Sequence, residues 1–377
     1  MRHGTGMRLA AMVAAGLTLG AGTGDAMAAK PVKGSKAGAT EPAPDPLDST
    51  TLAARLEAGG FQAPPGFKAL VVELDPGRVG RFRARAYDWH GTSEDRGDWW
   101  PASTVKLFAV AAALERVQAW GFTPAAQVTF QYPAGDEKHL VADLVRDALV
   151  PSSNTAFDQL VEIAGFDWLN GVWLPRRGFH TVLLRGYSGR QRDPDTKMGS
   201  LRDAPALVVE EDGRRREVRL RKGRGTYDCP NQGNCTTLAE LADALLRLVL
   251  PGALGPRHWF ALKQRDIEMV RGALGEVREA GEELGVGLRE AFADGRRVVV
   301  HHKPGFAAEW ASDVAFLKDP GSDRRWVVAV AAQPGREALV EAGRAIGKIL
   351  AGGGIGPQPL PPPVRKRPVP RPSGSPR

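Results

Sequence analysis

Ser103 and Lys106 stand three residues apart in Pro101-Ala102-Ser103-Thr104-Val105-Lys106, just ahead of an apolar, alanine-rich run from Ala109 to Ala119. The run has no glycine or proline and reads as a buried helix with Pro101 near its first turn. Positions i and i+3 share a helix face, so the hydroxyl and the amine point into one site. There the amine can take the hydroxyl proton and make the serine a nucleophile. The helix N-terminus adds unpaired N–H groups and the positive end of the dipole, both suited to a developing oxyanion. A helix cap beside an unrelated lysine has the same spacing, so the elements downstream must separate the two readings.

Two further stretches carry matching chemistry. Pro151-Ser152-Ser153-Asn154-Thr155-Ala156 lies between two helical patterns. In an extended or turn segment Ser152 and Asn154 face one way, a hydroxyl to relay a proton and a carboxamide to orient a substrate amide. Ser153 or Asn154 also suits a helix cap. His302-Lys303-Pro304-Gly305-Phe306 follows the apolar strand Val298 to Val300. A lysine at the end of an edge strand can anchor a substrate carboxylate, and the Phe306 N–H can join that of Ser103 in an oxyanion hole. A solvent-facing lysine before a turn is the plainer reading. His301 and His302 are adjacent on a strand, face opposite ways and make no ligand pair.

The elements that must position these residues come from both ends of the chain. A short helix over Thr51 to Ala58 precedes an apolar strand, Ala69 to Leu74, and an alternating strand, Arg81 to Trp89, antiparallel to it. Helical patterns fill the middle, at 141–150, 155–164, 238–250 and 257–280. Strand patterns return at 297–302, 312–317 and 325–332, and an amphipathic helix spans 336–350. The predicted fold is therefore α/β: a five-stranded antiparallel sheet flanked by terminal helices (51–105 and 290–352), with an all-helical domain (106–289) inserted. Active sites commonly form at such an interface. Residues 204–222 read as an inserted hairpin turning at Asp212-Gly213. The tryptophans mostly read as core, with Trp310 rimming the site because it follows Phe306 closely.

Charge and composition narrow the function. The net charge is +8, but residues 176–224 hold fourteen Lys/Arg against seven Asp/Glu, and 351–377 hold five Lys/Arg and no acid. The remainder is slightly acidic and no nucleic-acid motif is present, so nucleic-acid binding is not expected. Arg2 and Arg8 precede the apolar run Leu9 to Leu19 and the small-residue site Ala26-Met27-Ala28. That pattern reads as an export signal over 1–28, too short to span a bilayer, followed by a linker to residue 50. No transmembrane span is expected, and the destination is the periplasm or the cell exterior. There the only two cysteines, Cys229 and Cys235, can pair, and two cysteines without a nearby histidine make a poor metal site. No metal or cofactor is expected. The Pro-rich basic tail, 353–377, reads as extended; it offers a contact for an anionic cell wall or serves as a solubilising tail.

Ser-x-x-Lys, Ser-x-Asn and Lys-x-Gly, in this order behind an export signal, resemble the motif set of the penicillin-recognising serine enzymes: class A β-lactamases and penicillin-binding peptidases. The resemblance extends over roughly residues 50–350. It includes the Thr236-Thr237 helix start and Ser312-Asp313-Val314-Ala315 opening the strand after Lys303. It implies Ser103 as acylated nucleophile, Lys106 as general base and Ser152 as proton donor to the leaving nitrogen. Asn154 would hold the substrate amide and Lys303 the carboxylate, with Gly305 and Phe306 completing the substrate-binding set. Burial and the Lys303 charge would lower the Lys106 pKa so that it is neutral part of the time.

The sequence departs from the family at three places. Ser153 stands where an aspartate is expected, which changes a hydrogen-bond network. Pro304 stands where a threonine or serine is expected, removing a hydroxyl from carboxylate binding. No Glu-x-x-x-Asn lies between Gly186 and Thr236; Asp193, Asp195, Asp203 and Asp228 are the acids on that loop that could substitute, and turn or cap chemistry is the plainer role of each. The expectation is an exported serine hydrolase, β-lactamase-like, forming an acyl-enzyme on a β-lactam or related amide. The alternatives are a D-alanyl-D-alanine peptidase-like, penicillin-binding enzyme acting on a peptidoglycan stem peptide, or a catalytically silent binding protein of the same fold.

Overall fold

The computed structural model describes residues 47–76, 82–192, 197–230, 233–253, 259–277, 283–292, 298–307, 309–333 and 335–356. The expected export signal, most of the linker, most of the tail, Asp193 and Asp195 lie outside these residues.

Helix α1 (Thr51–Ala58) leads into strands β1 (Lys68–Pro76) and β2 (Phe82–Asp88). A 3-10 turn, Ala102–Val105, runs straight into helix α2 (Lys106–Ala119). The middle of the chain holds the hairpin β3 (Gln127–Tyr132) and β4 (Gly135–Leu140), helices α3 (Val141–Leu149) and α4 (Asn154–Ala164), and the hairpin β5 (Ala206–Glu211) and β6 (Arg214–Val218). Helices α5 (Leu238–Val249), α6 (Gln264–Gly275) and α7 (Leu284–Ala291) follow. Strands β7 (Val299–Phe306), β8 (Ala311–Lys318) and β9 (Arg325–Ala332) and helix α8 (Glu337–Ala351) complete the order.

The five-stranded sheet runs β7-β8-β9-β1-β2, antiparallel at every pairing. Its central strands are largely apolar on both faces because both faces are covered. Leu70, Val314, Phe316 and Val327 join the core shared with α2 and α5. Ala69, Val71, Ala315 and Val328 join a second core with the terminal helices α1, α7 and α8. This is the period-two alternation of a sheet between two layers.

Helix α2 lies at the centre. From Leu107 to Ala113 every residue is fully buried, so the helix is apolar all round. Its alanines let neighbouring helices approach closely, and its only buried cation at the N-terminal end is Lys106.

Three details differ from the sequence expectation. Strand β7 runs on to Phe306, with Pro304 inside it opposite Asp313. The strand is at the sheet edge, where a missing ladder N–H is tolerated. Helix α6 begins only at Gln264, because Phe260 is drawn into the core to stack on Trp173 (centroids 5.4 Å apart). The helices of the middle segment are joined by a four-stranded sheet, β4-β3-β5-β6. The hairpin 204–222 is thus one half of a sheet. Its partner β3–β4 left little apolar signal, since β4 is the polar edge Gly-Asp-Glu-Lys-His-Leu.

Candidate active site

Backbone conformation sets the nucleophile turn. Ala102, immediately before Ser103, has φ +47°, and Ser152 has φ +57°. Left-handed backbone costs a residue with a Cβ roughly 1–2 kcal/mol, and such residues persist where surrounding contacts over-determine them. Around Ala102 those contacts are visible. The Pro101 carbonyl accepts from Thr104 Oγ1 (2.6 Å) and Ser312 Oγ (3.0 Å), and the Tyr187 hydroxyl donates to the Ala102 carbonyl (3.0 Å).

Strand β7 presses on the same turn through Gly305. A Cβ at that position would lie 2.6 Å from the Pro101 oxygen and 2.8 Å from the Ser103 nitrogen. Only glycine lets the strand come this close. The close approach carries Phe306, the next residue, to the cavity wall beside Ser103.

Ser153 caps α4 by accepting from the Ala156 N–H (3.2 Å). The capped turn exposes Ser152 before the helix and Asn154 as its first residue, and both meet Lys106. Lys106 Nζ donates to the Ser152 carbonyl (2.5 Å) and to Asn154 Oδ1 (2.9 Å), and lies 3.1 Å from Ser152 Oγ. Lys303 Nζ donates to that same Ser152 Oγ (2.9 Å) and to the Pro304 carbonyl (2.9 Å). The turn bearing Ser103, helix α4 and strand β7 therefore converge, and with them six of the seven residues named from sequence: Lys106, Ser152, Asn154, Lys303, Gly305 and Ser103. Phe306 follows from the strand.

The electrostatics of the two lysines differ from those of surface lysines. Both are fully buried. Burial, then the Lys303 charge, pulls Lys106 down to about 7, against a smaller opposing pull from Asp158. Burial also lowers Lys303 to about 8, opposed by Asp313 and Glu283. Behind Lys303, His302 Nδ1 and Asp313 Oδ2 form a buried pair at 3.0 Å, while His301 on the other face stacks near Phe316.

A cavity of about 790 Å³ opens onto Ser103 and Asn154. One wall is the end of β7 and its turn, Phe306, Ala307, Glu309 and Trp310. The opposite wall is a loop that no motif announced, Arg185 to Gly189, continued by Arg192 and Lys197 to Gly199. Asp158, one helical turn beyond Asn154, holds this loop by accepting from the N–H groups of Tyr187 and Ser188 (2.9 Å each) and the Ser188 hydroxyl. Buried Asn234 holds its start, accepting from the Leu184 and Arg185 N–H groups (2.8 Å each) and donating to the Arg185 carbonyl (3.0 Å). The signal for these residues is positional only: a loop between a short strand and the Thr236-Thr237 helix start.

Of the candidate acids on that loop, Asp203 and Asp228 are exposed and do not line the cavity. Among the described lining residues Glu309 is the only acid, and Gln333 Nε2 donates to it (2.9 Å). Cys229 and Cys235 form a disulfide with Cα atoms 5.9 Å apart, in a small cluster with Val182. No helix among the described residues is long and apolar enough to cross a membrane.

The model of the beta-lactamase enzyme family matches residues 94–351. No curated protein sequence matches the chain. Among solved structures it is similar to a beta lactamase from Burkholderia vietnamiensis (18% identity, 80% of this chain and 97% of that one, TM-score 0.50). It is similar to a beta-lactamase from Desulfarculus baarsii (20%, 81% and 98%, TM-score 0.52). A third is a PBP-A mutant in an acyl-enzyme complex with penicillin G (14%, 82% and 99%, TM-score 0.53). At identities this low, the likeness is one of fold.

Proposed function

The chain belongs to the beta-lactamase enzyme family, and from that premise we propose that Ser103 attacks the carbonyl of a β-lactam or related amide and keeps the acyl group as an ester. Neutral Lys106 takes the Ser103 proton as the Oγ–C bond forms. The N–H groups of Ser103 and Phe306 receive the oxyanion. As the C–N bond breaks, Ser152 gives its proton to the leaving nitrogen and is recharged from the lysines on either side. Asn154 holds the substrate amide, and Lys303 supplies positive charge at the carboxylate end.

The observation that carries this reading is the buried Lys106, lowered to about 7 and bonded to both Ser152 and Asn154. A base poised near the working pH is worth roughly two to four orders of magnitude in rate. Release of the acyl group is the slow step, because no Glu-x-x-x-Asn precedes the Thr236-Thr237 helix start to activate water. A long-lived adduct favours a penicillin-binding, peptidase-like role on peptidoglycan stem peptides over rapid β-lactam hydrolysis. The disulfide fits an exported protein.

Intact-mass analysis and gel fluorescence after incubation with a fluorescent penicillin test this. One adduct per chain, located on Ser103 and persisting well beyond a catalytic turnover, is expected. Rapid loss of the label would mean efficient hydrolysis. An adduct that survives Ser103→Ala, or none on the native chain, sinks the proposal and leaves a silent binding protein.

A further inference from the structure

Lys303, the expected carboxylate anchor, is fully buried and donates to Ser152 and Pro304. Among the described residues the cations lining the cavity are Arg185, Arg192 and Lys197, all on the wall that carries Asn154. Arg185 is held rather than loose. Its guanidinium lies over the Trp100 ring (5.0 Å to the centroid), and its backbone is fixed on both sides by Asn234. A planar guanidinium stacked on an aromatic face keeps its edge N–H groups free of conformational search, which suits it to bidentate capture of a carboxylate.

We infer that the substrate carries a further anionic group, a carboxylate on its acyl side, and that Arg185 and Arg192 receive it. The assignment to the acyl side follows from the wall. Asn154 and the Arg185 loop are tied together through Asp158, so a group next to an amide held by Asn154 faces the arginines. Among its described residues the opposing wall offers the aromatic faces of Phe306 and Trp310 and one acid, Glu309, which accepts a hydrogen bond from Gln333. The cavity is therefore built for an acyl donor that is apolar toward β7 and negative toward the loop. This rests on the acyl-enzyme reading and narrows it to one substrate class.

Benzylpenicillin and carbenicillin form a matched pair, differing by one carboxylate on the acyl side chain. Second-order acylation rates are measured for both with the native protein, Arg185→Gln, Arg192→Gln and Arg185→Lys. The native protein is expected to prefer carbenicillin. The ratio should fall about tenfold in either Gln variant, the worth of one charge-assisted hydrogen bond, and fall less in Arg185→Lys. It should also shrink as salt is raised. A ratio indifferent to both arginines overturns the inference and leaves Arg185 as structural cover for Trp100.

Equilibrium binding of the same two compounds to Ser103→Ala separates this from the parent reading. Tighter carbenicillin binding without any adduct on the native chain would sink acylation and keep the anion site. Adducts with both compounds and equal binding to Ser103→Ala would do the reverse.

Discussion

Lys106 of helix α2 and Lys303 of strand β7 converge on one oxygen: their Nζ atoms lie 3.1 and 2.9 Å from Ser152 Oγ. Two proton assignments satisfy these contacts. A neutral Lys106 donates its two N–H groups to the Ser152 carbonyl and Asn154 Oδ1 and accepts from the Ser152 hydroxyl, while charged Lys303 donates to the same oxygen. When Lys106 gains a proton, the hydroxyl turns and accepts from it instead. Ser152→Ala removes this two-way group. Acylation by a β-lactam is expected to fall roughly 10²- to 10³-fold, and the thermal midpoint to drop modestly, since two buried amines lose an acceptor. Stopped-flow acylation beside a melting curve checks both.

The pH profile follows from the Lys106 pKa. The base must be neutral, so acylation should rise through about pH 7 and level off above it. Lys303 is one cause of the lowering, so Lys303→Met should move the inflection to higher pH as well as reduce the rate. Folding carries the same signature. The unfolded chain keeps the Lys106 proton up to the ordinary lysine range, whereas the folded chain sheds it near 7. Stability contributed by this residue therefore rises with pH above about 7, and Lys106→Met should flatten that rise in denaturant titrations from pH 6 to 10.

Gly305 is a packing requirement with a catalytic readout. A methyl group there meets the Pro101 oxygen and the Ser103 and Thr104 nitrogens, all within 2.9 Å. These are backbone atoms and cannot swing aside. Gly305→Ala is expected to cost about 1–3 kcal/mol and to slow acylation at least tenfold by pushing Ser103 from the β7 edge. Urea unfolding and acylation kinetics on one preparation would show it; unaltered values for both would contradict the close approach.

Glu162 gives a stability prediction remote from Ser103. Burial raises its carboxyl to about 8, opposed by the hydrogen bond it accepts from Tyr132 (2.5 Å). The folded chain thus holds a proton that the unfolded chain loses above the ordinary glutamate range. Stability from this group is present at low pH and is lost as pH rises through about 8. Glu162→Gln does not titrate, so its melting temperature relative to the native protein should climb between pH 5 and 8. A gain of about 2–4 °C per kcal/mol is the expected scale. A difference that stays constant with pH would contradict the raised carboxyl.

Most of the architecture was legible in one dimension because it rests on local periodicity. The all-apolar run after Lys106 had to be a buried helix, and the strands at both chain ends had to meet, since neither set covers its apolar faces alone. The residue types at 103, 106, 152, 154 and 303 stated the chemistry, and Pro304 already implied an open edge. The hairpin β3–β4 was not legible, because β4 is polar and owes its conformation to its partner strands.

What the sequence determined by itself was the set of candidate reacting groups and the sheet beside them. Tertiary structure alone decided which of those groups share an oxygen, how far burial lowers Lys106, and that Lys303 is turned inward while Arg185 and Arg192 face the cavity. The reason is physical: periodicity records which side of an element is buried, but desolvation and hydrogen-bond partners depend on residues tens to hundreds of positions away, and only folding brings those together.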